Sequence, residues 1–123
     1  KRDVSEGKEF AILTNEITKA WSDYTVKEYK KLKNLKKENL RDNMTNLELV
    51  LNMLAEATTT EISKKEQPNS LRANKHVAKR GGRIAGNTRK EIEQQIGDKI
   101  VTSMNAKQIH LYQNKKKLFH KKK

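Results

Sequence analysis

The stretch Thr45–Glu66, TNLELVLNMLAEATTTEISKKE, decides how the rest of the chain must be arranged. Thr45 stands three residues ahead of Glu48. That is a capping box, in which the Thr hydroxyl accepts from the third helical N–H and the Glu carboxylate reaches back to the cap N–H. Behind it, Leu47, Val50, Leu51, Leu54 and Ala55 recur at helical spacing, and Leu49, Met53 and Ala57 widen the apolar surface nearly all the way round. Glu48, Asn52 and Glu56, four apart, leave one narrow polar line. A helix this apolar is normally buried on most sides. The stretch is therefore expected to sit at the centre of a bundle or to take a partner chain. Pro68 closes it, because the proline ring cannot continue a helix.

The chain has 123 residues, the size of one ordinary domain. Hydrophobic residues make up 33%, below the roughly 45–50% of a typical globular protein, so the core is expected to be thin. One Pro and five Gly allow long helices, and no strong run alternates with period two. The expected fold is all-α, a compact bundle of four to five helices around a central apolar helix. Residues 1–112 are expected to form one helical domain, and residues 113–123, QNKKKLFHKKK, a mobile basic tail. The absence of Cys excludes disulfides and thiolate metal sites. No apolar run approaches the roughly 20 residues of a membrane span, and no signal peptide is visible. A reducing compartment is compatible with this composition, and no membrane partner is expected. The opening Lys1-Arg2-Asp3, with no Met, suggests a fragment or a processed chain, with residues expected before it.

The net charge of +13 is unevenly placed. Residues 1–68 carry 13 Lys/Arg against 12 Asp/Glu, whereas residues 69–123 carry 15 against 3. The excess in the second half predicts a polyanionic partner there.

Read in order, Phe10, Leu13, Ile17, Ala20, Trp21 and Tyr24 mark one face of a first helix over about Val4–Tyr24. Trp21 is read as a core anchor, with stacking on a base as the alternative. Thr25 and Glu28 repeat the capping box and start a short helix. Its Val26, Tyr29 and Leu32 point inward, and Lys27, Lys30, Lys31 and Lys33 point outward. Leu35, Leu40 and Met44 pin a connecting segment with one helical turn. Its basic run, balanced by Glu28, Glu38 and Asp42, reads as a solvated face.

Asn69 or Ser70 caps a long helix from Leu71 towards Ile96, and Gly97 supplies a left-handed end. At about 100° per residue, Val77, Gly81, Ile84, Ala85, Thr88 and Ile92 gather on one side. Arg72, His76, Lys79, Arg83 and Lys90 gather on the other, and no acidic residue occurs between Glu66 and Glu91. The adjacent Gly81-Gly82 cost about 1 kcal/mol each relative to Ala in a helix. Three readings remain open: close helix packing at Gly81 and Ala85, a hinge splitting the helix, or backbone approach to a phosphate. Beyond Gly97-Asp98, Lys99-Ile100-Val101 reads as a short extended piece, and Ser103 or Asn105 caps a last helix.

Catalytic signatures are missing. His76, His110 and His120 lie in basic surroundings with neither a nucleophile motif nor ligand spacing. The chain is expected to be neither an enzyme nor the holder of a cofactor or metal. The basic helical face is the functional signal, because cations along one face release counterions from nucleic acid. The residues expected to touch DNA are Arg72, Lys75, Lys79, Arg80, Arg83, Arg89 and Lys90, through electrostatic, non-specific contact.

Three runs carry a resemblance: FAILTNEITKAW (10–21), LKKENLRDNMTNLELVLNMLAEATTTEIS (35–63) and NKHVAKRGGRIAGNTRKEIEQQIG (74–97). They resemble the C-terminal region that follows a Bro-type N-terminal domain in phage-antirepressor-like proteins. More distantly, they are similar to the C-terminal part of the DNA-damage-inducible protein D family. The resemblance covers about Phe10 to Ala106. It implies an accessory helical module in prophage regulation or the DNA-damage (SOS) response, in a bacterial cytoplasm and at the nucleoid if DNA is bound. It supplies no catalytic residues, and nothing here matches the Bro-type domain. The alternative reading is a protein-interaction or dimerisation module, a homodimer or a binder of a repressor or recombinase, without direct DNA contact.

Overall fold

Each helix begins and ends where its local chemistry allows. A computed structural model describes the backbone of residues 2–121 and the side chains of residues 7–115. Among the described residues there are five α-helices and no strand: α1 (Arg2–Ser22), α2 (Val26–Leu32), α3 (Asn46–Glu66), α4 (Leu71–Ile96) and α5 (Ala106–Lys121), with a 3-10 turn at Arg41–Asn43. Both capping boxes form. Thr25 Oγ1 accepts from Glu28 N at 3.2 Å while Glu28 accepts from Thr25 N at 2.8 Å, and Thr45 with Glu48 repeats the pair at 3.4 and 2.9 Å. Ser70 caps α4 through Ala73 N, and Gly97 ends it in the left-handed region at φ 75. Asn105 and Gln108 exchange bonds of 3.3 and 3.1 Å at the start of α5. Lys99–Val101 form no strand, and Ile100 is buried. No helix among the described residues is long and apolar enough to cross a membrane.

The hub of the bundle is α4, not the apolar α3: α1 packs along one of its sides and α3 along another. Glycine makes this possible. A Cβ on Gly81 would lie 2.0 Å from Thr59 Oγ1 and 2.8 Å from Thr59 Cα, on α3. A Cβ on Gly82 or on Gly86 would lie 2.8 Å from the carbonyl oxygen of Ile17 or of Ala20, on α1. Three glycines thus bring three helix backbones together, two towards α1 and one towards α3. The close-packing reading of Gly81 holds, and α4 is one unbroken helix over Leu71–Ile96, so the hinge is not realised. Nor are Gly81 and Gly82 open to a phosphate, since both are buried.

Two members of the polar line of α3 point inward, while the third, Glu56, stays half-exposed and meets Arg41 at 3.1 Å. Glu48 is 0% exposed and Asn52 8%. Lys33, placed on the outer face of α2 by its periodicity, is also 0% exposed. Its Nζ meets Glu48 Oε1 at 2.8 Å, donates to the Met104 carbonyl and lies 5.6 Å from the Tyr29 ring centroid. The Tyr29 hydroxyl donates to the other Glu48 oxygen. Burial pushes that phenol well above its ordinary range, so Tyr29 stays protonated and Glu48 remains its acceptor. Trp21 Nε1 donates to Asn52 Oδ1 at 3.2 Å, which satisfies the anchor expected at this position. Around this polar centre lie Leu40, Leu51, Ala55, Ala85 and Ile100, with Leu35 and Met44 packed against them. The apolar outer face of α3 is left uncovered: Leu47 is 40%, Val50 58% and Met53 50% exposed. Ile84, expected inside, is 46% exposed.

Two outcomes test this packing. Gly82→Ala gains about 1 kcal/mol in helix propensity but drives a methyl into the Ile17 carbonyl and the Ala20 methyl, at about 1–3 kcal/mol. A lowered Tm is expected, and a raised one would show that the α1–α4 contact is not tight. Lys33→Met strands a buried carboxylate and is expected to cost about 3–5 kcal/mol. Adding Glu48→Gln, which removes the charge but keeps an acceptor for Tyr29, should recover much of that loss in urea unfolding.

Candidate nucleic-acid interface

With α1 and α3 occupying two sides of α4, a third side faces water. Arg72, His76, Lys79, Arg83, Asn87, Lys90 and Gln94 are all exposed. Successive members are three or four residues apart, so they form one line along the helix. From Arg72 to Lys90 the line is about 27 Å long at 1.5 Å per residue. It carries no carboxylate. Arg72, Arg83 and Lys90 have no ion-pair partner among the described residues. Lys79 lies 3.9 Å from Glu16 of α1, a loose exposed contact that leaves its ammonium accessible.

The other three expected contact residues sit off the line, each for a packing reason. Lys75 is half-buried on the α1 flank, 3.6 Å from the same Glu16. Arg80 lies on the α3 flank and meets Glu66 at 2.7 Å, and its hydrogen bond holds the Glu66 carboxyl below the usual range. Arg89 is only 7% exposed and is a structural residue. Its Nε donates to the Trp21 carbonyl at 2.8 Å, Nη2 meets Asp23 at 3.0 Å and Nη1 meets Glu93 at 2.9 Å. The cause is local. Arg89 stands one turn beyond Gly86, where the backbones of α4 and α1 are close, and its fork closes over the C-terminal end of α1. Glu93 also accepts from Ile100 N at 3.1 Å, so the same cluster anchors the chain leaving α4.

One cation beside the line escapes sequence periodicity. Lys19 of α1, with Glu16, Ala20, Lys79 and Arg83, lines a shallow depression of about 190 Å³. Its Nζ donates to the Asp23 carbonyl at 2.9 Å and lies 3.8 Å from Glu28. Nothing in α1 alone marks Lys19, because its position depends on how α1 lies on α4. Of the lysines expected on the outer face of α2, Lys27 and Lys31 are exposed, Lys30 is half-buried and Lys33 is buried; Lys36 and Lys37 of the following loop are exposed.

Chemically, the line offers four fixed cations and a histidine, one turn apart from Arg72 to Arg83 and two turns on to Lys90, on a rigid rod. It supplies charge rather than a shaped polar pocket, which suits phosphate contacts and not base reading. Arg89→Ala separates structure from binding. It removes charge-assisted bonds worth about 1.5–3 kcal/mol each, so a lowered Tm is expected, with the salt dependence of nucleic-acid affinity unchanged in the folded protein. A changed salt dependence would return Arg89 to the interface. No family model, curated protein or solved structure matches the chain.

Proposed function

We propose that this chain is a non-enzymatic regulatory module that grips nucleic acid through the solvent-facing line of α4. Arg72, Lys79, Arg83 and Lys90 are the principal contacts, and His76 lies among them. The observation that carries this reading is the line itself: exposed cations in register over five helical turns, with no acid among them, on a helix with α1 and α3 packed against two of its other sides. Such spacing suits phosphates along a backbone, and the contact is electrostatic and insensitive to sequence. The resemblance of residues 10–106 to phage-antirepressor-like and DNA-damage-inducible proteins supports a place in prophage or DNA-damage regulation. A repressor or recombinase is then the protein through which binding takes effect.

The test is a titration of duplex DNA at increasing salt. Four phosphate contacts predict a slope of log affinity on log salt of about −3.6, or about a hundredfold loss between 50 and 200 mM. Lys79→Glu with Arg83→Glu should abolish measurable affinity, and neutralising either residue singly should reduce the slope by about 1. Affinity that ignores salt, or that survives the double reversal, would sink the reading.

A further inference from the structure

The outer face of α3 is built like the seam of a helix pair. Asn46, Val50, Met53, Ala57, Thr60 and Lys64 are all exposed and follow one another at steps of four, three, four, three and four. That is a 3.5-residue repeat, the period that keeps one helix face against another over several turns. At its centre Val50 and Met53 are 58% and 50% exposed, and Leu47 beside them is 40%. The opposite side of α3, with Leu51 and Ala55 buried and Thr59 against Gly81, is the side used inside the bundle.

Charge selects what covers the seam. Counted along the sequence, α3 carries four Glu and two Lys, whereas α4 and α5 each come to +5, α2 to +2 and α1 to −1; Glu48 is buried against Lys33, and Glu56 and Glu66 pair with Arg41 and Arg80, so the outer face of α3 is close to neutral. The exposed charges at the end of the seam, Glu61 and Lys64, are of opposite sign and 3.8 Å apart. An acidic partner would be drawn to α4 and α5, not to α3. Two copies of a chain of net charge +13 repel each other most where those cationic helices meet. The α3 face lets them meet away from those cationic helices while covering Leu47, Val50 and Met53. We infer that it is the interface for a second copy of this chain, packed α3 against α3 about a twofold axis. The line on α4 lies away from α3, so each copy keeps its own free, and a dimer would engage nucleic acid at two places.

Sedimentation equilibrium of the whole chain tests this, with the variants Val50→Glu and Met53→Glu. The expected result is association to twice the 14.3 kDa chain mass, lost in either variant. Both side chains are exposed in the single copy, so the melting temperature of dilute protein should not fall. Raising the salt should strengthen association, because it screens repulsion between like-charged copies. A wild-type chain that stays monomeric at its highest soluble concentration would overturn the inference. So would a dimer that persists in both variants, or one that weakens as salt rises. Nucleic-acid affinity through α4 must weaken with salt, so the opposite signs keep a failure of one idea distinct from a failure of the other.

Discussion

The contact on which the rest depends is the backbone-distance packing of α4 against α1 and α3. Glycine in a helix gives up about 1 kcal/mol to Ala, and α4 spends three glycines within six residues, Gly81, Gly82 and Gly86. What offsets that loss is dispersion and burial between helices that approach closer than any Cβ would permit. The same approach decides which way every other residue of α4 points. Once Gly82 and Gly86 face α1 and Gly81 faces α3, helical geometry leaves Arg72, Lys79, Arg83 and Lys90 nowhere to go but outward.

The second organising feature is a buried polar cluster. Glu48, Lys33, Tyr29, Asn52 and Trp21 satisfy one another's hydrogen-bonding groups in the middle of a chain with little apolar material. Buried ion pairs contribute little net stability compared with apolar packing, but removing one member is costly. Their effect here is on arrangement. Lys33 reaches Glu48 on α3 and the Met104 carbonyl in the segment leading to α5, and Asn105 Nδ2 donates to the Lys33 carbonyl at 3.2 Å. With Ala106 N donating to Asn43 Oδ1 at 2.8 Å, these bonds tie the last quarter of the chain to the first half. Among the described residues, helix α5 packs against the 3-10 turn, and this polar clasp holds its first turn in place.

Helix positions and ends were largely legible in the sequence, because capping is local. Thr25, Thr45, Ser70 and Gly97 announce themselves within four residues, and the structure uses all four. The outer line of α4 was legible too, because five like-charged or titratable residues recur at the helical period with no acid among them. Three things were not. Arg89 shares its charge with the line but not its angle, and its fate depends on a carbonyl of residue 21, which no local pattern contains. Lys33 and Glu48 look like surface residues on their own helices, and only their mutual approach makes burial tolerable. For α3, counting apolar residues overestimated enclosure. Periodicity shows that a face is apolar but not which of two apolar faces the bundle will use, and that choice was made by the polar line.

That choice has a consequence for how charge and apolar surface are divided. Turning Glu48 and Asn52 inward rotates Val50 and Met53 outward, so the buried polar cluster and the exposed seam are two sides of one rotation of α3. In a chain so short of apolar residues, burying these two would have meant exposing the partners of Tyr29, Lys33 and Trp21 to water. Those partners would have lost their low-dielectric setting, and two core aromatics their hydrogen-bond acceptors. The bundle thus keeps its polar interior at the expense of an uncovered apolar strip. The strip lies on the most acidic helix of a strongly basic chain, where a like-charged neighbour is tolerated best. Cations for a polyanion on α4 and aliphatic side chains for another helix on α3 follow from the same two facts: glycine brings the helices together, and one carboxylate turns inward.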